Sequence, residues 1–136
     1  MRWGKVIAVC LLIVLVESVH GTLRQIFLAP VIGDFPSRQS GVFTGSALIL
    51  LISWLTARWL NIDTVKNQLR AGALWVVLIA VFEFSLGLAL GYSRERMWSD
   101  YDLTQGGLMG LGLLFLFFSP MLGARMRKTQ DRRDTA

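Results

Sequence analysis

Apolar residues run along this chain in four long blocks, each broken by few polar positions. A helix that crosses a bilayer needs about 20 predominantly apolar residues at about 1.5 Å of rise each. The blocks predict spans over residues 3–28, 41–60, 69–91 and 106–122. The first ends at a cluster of helix breakers, Pro30, Gly33, Asp34 and Pro36. Ser37 or Ser40 is placed to cap the second, Asp63 or Thr64 to begin the third early, and Asp102 or Thr104 to cap the fourth. Ser119-Pro120 is expected to bend the last span near its end. Short connections favour sequential helices lying antiparallel as neighbours. The expectation is an all-α fold, an integral membrane bundle of four antiparallel transmembrane helices within residues 1–123. Residues 124–136 mix charges without an apolar period and read as a disordered basic tail against anionic head groups.

Polar residues inside these blocks stand out. Glu17, His20 and Arg24 follow one another at spacings of three and four, which places them on one helical face. Glu83 interrupts the third block. An ionisable group within a span is costly, faces protein or water rather than lipid, and is a functional-site hypothesis by default. Both glutamates lie fourteen residues into spans that cross in the same direction, roughly 21 Å along the helix. They should share a depth, with Asp34, Arg38, Glu95, Asp100 and Asp102 in the outer loops above them. Ala80 and Gly87 flank Glu83 at helical spacing, so its face should meet another helix.

Composition sharpens this picture. Of 136 residues 54% are hydrophobic and 17% charged, which is too apolar for a soluble domain of this size. The net charge of +5 collects at span ends and in the tail, which fits a membrane and not nucleic acid. Arg2, Lys5, Arg58, Lys66, Arg70, Arg125, Arg127, Lys128, Arg132 and Arg133 fall on one side. Arg24, Arg38, Arg94 and Arg96 fall on the other. That bias puts both termini in the cytoplasm of a bacterial-type plasma membrane. The basic start followed by Val6–Val16 also resembles a secretory signal peptide, with Val19-His20-Gly21 as a weak cleavage site. Apolar residues continue through Leu23, Ile26, Phe27 and Leu28, and the polar stripe keeps register, which favours a retained span. Cys10 is the only cysteine and cannot form an intramolecular disulfide.

Several chemistries are compatible with the cluster. In an internal ion-pair network Arg24 would neutralise Glu17 or Glu83, the latter favoured, and His20 would hydrogen-bond the remaining acid. In a binding or transport site Arg24 would hold an anionic group in its planar fork, with a glutamate and His20 moving protons. Glu17-x-x-His20 has a spacing used in di-metal bundles, but these need a second copy, and the chain has one histidine, so no metal site is expected. Asp100 and Asp102 are secondary outer-loop candidates, although a short acidic pair before a helix is ordinarily a solvated cap. Catalytic signatures are absent, and no cofactor is expected. Three pairs, Gly41 with Gly45, Gly87 with Gly91 and Gly106 with Gly110, suggest close helix contact in the outer half or a homo- or hetero-oligomer interface. Leucine, tryptophan and phenylalanine elsewhere suggest looser packing toward the cytoplasm. The leading expectation is a small transporter-like or accessory subunit. A structural subunit of a larger complex and a membrane enzyme using Glu17, His20 and Glu83 are the alternatives.

Overall fold

The computed structural model describes residues 2–135, so Met1 and Ala136, the two ends of the expected domain and tail, lie outside it. The chain is almost wholly helical and carries no strand among the described residues. Helix α1 (Trp3–Leu23) passes through a π-helical turn (Arg24–Leu28) into α2 (Ala29–Ile32). Helices α3 (Asp34–Leu60), α4 (Val65–Ala89), the short α5 (Arg94–Ser99) and α6 (Met109–Asp134) follow. Four segments are long and apolar enough to cross a membrane: Trp3–Ile32, Asp34–Leu60, Val65–Ala89 and Met109–Asp134.

Local chemistry sets the boundaries. The expected break between the first two spans shrinks to Gly33, whose φ of 96° suits glycine alone. Pro36 does not break α3, because it sits in the first turn, where backbone N–H groups have no intrahelical partner. The second helix therefore begins at Asp34 and not at residue 41. Thr64 caps α4 by accepting the Asn67 N–H at 3.3 Å, as its position suggested. Asp102 does not cap the fourth span. It accepts the Thr104 N–H at 3.0 Å and starts a separate 3-10 turn (Leu103–Gln105).

Residue pairing describes the packing. Lys5 meets Trp59, Glu17 meets Gly45 and Arg24 meets Ser37, so numbers rise on α1 as they fall on α3. On α3 and α6 they rise together: Val42 with Gly112, Ser53 with Gly123 and Arg58 with Asp131. The most extensive packing in the bundle joins α3 to α6, followed by α4 to α6. Helices α3 and α4, linked directly by residues 61–64, are not substantial partners. Sequential neighbours were expected there. The reason lies in glycine. In lipid, helices associate through close van der Waals approach rather than hydrophobic burial. A methyl group on Gly72 would lie 1.8 Å from the Phe117 carbonyl oxygen, and one on Gly123 would lie 2.6 Å from the Ser53 carbonyl carbon. Helix α6 thus sits against both α4 and α3 at backbone contact. These contacts belong to the end of the bundle that holds the start of α1, where the sequence suggests looser packing.

A buried seam completes that half. Val6, Val9, Cys10 and Ile13 share one face of α1 and pack with Ala71, Trp75 and Ile79 of α4, Ile52 of α3 and Leu116 of α6. The opposite faces stay bare: Leu11 and Leu15 are each 62% exposed, on a segment long and apolar enough to cross a membrane. The basic tail, expected to be disordered, continues α6 as helix through Asp134. No glycine or proline follows Gly123, Asp131 pairs with Arg58, and the Arg127 guanidinium lies 5.0 Å from the Trp54 ring.

Candidate functional site

Helix α1 turns its polar stripe toward α3. The His20 imidazole Nδ1 is 3.5 Å from Glu17 Oε2, and Nε2 is 2.8 Å from Thr44 Oγ1. Two protonation states of the ring fit these contacts. A neutral ring with hydrogen on Nδ1 faces Glu17 and accepts the Thr44 hydroxyl proton on Nε2. A doubly protonated ring donates at both nitrogens, and Thr44 then donates to the Ser40 carbonyl at 3.2 Å. Two glycines on α3 make the approach possible. A methyl on Gly45 would fall 2.7 Å from Glu17 Oε2, and one on Gly41 would fall 2.8 Å from Arg24 Cδ. The Gly41 and Gly45 pair thus meets α1 through the side chains of its polar stripe.

The other glycines of that pattern behave differently. Gly87 faces Met97 and Gly106 faces Gln39, so both are covered from within the chain. Gly91 and Gly110 meet nothing within 4 Å.

Arg24 opens the π-helical turn, where the Ala29 N–H reaches back to its carbonyl. Its Nη1 donates to Ser37 Oγ at 2.8 Å, and Ser37 donates in turn to the Asp34 carbonyl at 2.9 Å. The expected ion pair between Arg24 and Glu17 or Glu83 does not form among the described residues. The cause is the early start of α3: residues 34–40 are helix, so Ser37 lies wholly buried within reach of the guanidinium. Glu17 Oε1 is buried and accepts no hydrogen bond, and Glu83 likewise enters no ion pair among the described residues.

All four residues singled out from the sequence, Glu17, His20, Arg24 and Glu83, line one cavity of about 630 Å³. Its floor is apolar, with Ile13, Ile79 and Leu116. Its rim is charged. Asp34 bridges Arg38 at 3.2 Å and Arg96 at 2.5 Å, and Arg38 reaches Asp100 at 2.5 Å. The hydrogen bond to Asp34 holds the Arg96 guanidinium above its ordinary value, well into the permanently charged range. Of the secondary candidates, Asp100 joins this rim, whereas Asp102 is spent on the 3-10 turn and does not line the cavity. Beside Asp100, the Tyr101 ring stacks on Phe84 at 6.1 Å, and burial, then Glu83 and Asp100, push its phenol up. Among the described residues no three His, Cys, Asp or Glu side chains gather closely enough to hold a metal ion.

Ser37, Thr44, Arg96 and Tyr101 were not singled out from the sequence as site residues. A signal for the first two was present: Ser37, Gly41, Thr44 and Gly45 form a small, polar face at helical spacing, legible once α3 is begun at Asp34. No known protein family, no curated protein and no solved structure matches this chain.

Proposed function

We propose that this chain is a non-enzymatic, multi-pass protein of a bacterial-type plasma membrane, a small transporter-like or accessory subunit with an anion-binding site open to the outer face. In this reading the four helices cross antiparallel and both termini are cytoplasmic. One observation carries the proposal. Arg24, Glu17 and Glu83 share a cavity of about 630 Å³, yet the arginine pairs with neither acid. A structural network would close these charges on one another, because an unmatched charge in a bundle is costly. Left open, Arg24 presents a planar donor fork to an anionic group. The glutamates and His20 supply groups that exchange protons as the ligand's charge arrives.

Thermal-shift assays of the purified protein with phosphate, sulfate and carboxylate probes test the reading. Stabilisation by at least one anion, lost in Arg24→Gln, is the expected result. No response to any anion, or equal responses in wild type and Arg24→Gln, refutes it. A deletion strain profiled for ion and metabolite sensitivity then identifies the process served.

A further inference from the structure

A second cavity, of about 480 Å³, opens on the side of the bundle between α1 and α3. Leu23, Phe27 and Leu28 line it from α1 and the π-helical turn, and Ser40 and Thr44 line it from α3. Phe27 is 68% exposed at its mouth. His20, Arg24 and Gly41 line both this cleft and the larger cavity, so they form the partition between them. The π-helical turn adds its extra residue at this level, widening α1 where the cleft needs room. Arg24 donates only to Ser37 among the described residues, which leaves most of its donors unused.

These observations select a ligand class. A water-borne anion needs the outward cavity alone and has no use for an apolar groove facing the lipid. A molecule with an anionic head and an apolar chain uses both spaces. We infer that the cleft is a lateral access route from the bilayer, and that the ligand is an anionic lipid. Its head group is held by Arg24 at the partition, and its chain lies along Leu23, Phe27 and Leu28. The inference rests on the reading of the cavity as an anion site and names the ligand's source. Charge complementarity fixes the head group, since Arg24 is the cation that borders the cleft. Thr44 and His20 stand beside it as hydrogen-bonding groups.

The test is native mass spectrometry of the full chain from micelles doped with phosphatidylglycerol or phosphatidylcholine, with free glycerol phosphate as the soluble probe. Ser40→Trp and Leu23→Trp fill the cleft from opposite walls; neither residue lines the larger cavity. Wild type should retain phosphatidylglycerol in preference to phosphatidylcholine. Arg24→Gln should reduce that retention about tenfold, the loss of one charge-assisted hydrogen bond. The two tryptophan variants should reduce it comparably while keeping wild-type thermal stability. Unchanged retention in both tryptophan variants, or glycerol phosphate binding as tightly as the lipid, overturns the lateral route and leaves the anion site standing. Indifference of every probe to Arg24→Gln removes the anion site as well.

Discussion

The Trp75 indole N–H on α4 donates to the Val6 carbonyl on α1 at 3.0 Å, with both side chains fully buried. This bond pins the start of α1 to the centre of the seam formed by Val9, Cys10 and Ile13. Trp75→Phe should lower stability by about 1–2 kcal/mol through the lost bond and a small void. Trp75→Ala should cost about 3–5 kcal/mol through the larger cavity. Thermal unfolding in detergent, followed by circular dichroism, measures both. Equal stability of Trp75→Phe and wild type would remove the bond from the account.

Glycine positions should separate sharply. Gly72→Ala drives a methyl into the Phe117 backbone, which no side-chain rotation relieves, and should cost about 3 kcal/mol. Gly123→Ala faces the Ser53 backbone and should behave alike. Gly110→Ala meets open space on a helix and should be neutral or stabilise by up to about 1 kcal/mol. Folded yield and melting temperature of the three variants check the order.

Sequence pattern carried the fold class and the contents of the site further than it carried their arrangement. Hydropathy marks four spans because lipid requires unbroken apolar helix, whatever the neighbours. Which helices touch depends on single atoms at Gly72 and Gly123, and no periodicity announces that. Short α5 carries no apolar period over Arg94–Ser99 and went unseen. In the site, helical spacing brought Glu17, His20 and Arg24 together, and matched depth brought Glu83 to the same cavity. The partner of Arg24 is hidden from the sequence because Pro36 looks like a breaker, which leaves Ser37 outside the expected helix.

Alkaline pH should weaken the end of the bundle around Phe84 through Tyr101. Burial, aided by Glu83 and Asp100, raises its phenol above the ordinary value, so the folded state holds the proton more tightly than the unfolded chain. Stability from this source is complete below pH about 10 and falls as pH rises from there through the folded value. Tyr101→Phe keeps the ring against Phe84 and removes the ionisation. Its melting temperature should decline less than that of wild type across the same alkaline range. Parallel declines would assign the effect elsewhere.

Topology is open to direct measurement. Reporter fusions after Asp63 and at Ala136 should register cytoplasm, and a fusion near Asp34 should register the outside, following the bias of lysine and arginine. Intact mass of the purified protein should retain residues 3–28. The buried face Val6, Val9, Cys10 and Ile13 is a working part of the bundle, and a product beginning at Thr22 would have lost it along with Glu17 and His20.

Because α6 lies against both α3 and α4, the bundle has an obligatory order of completion during synthesis. When three helices have left the ribosome, the Ser53 backbone on α3 and Gly72 on α4 still lack the surface that each fits. Only the last helix supplies it. Until then the growing chain holds an unfilled slot beside α3 and α4. Ribosome stalling before residue 109 should therefore leave a species that is inserted but unassembled, and premature termination there should yield a short-lived protein.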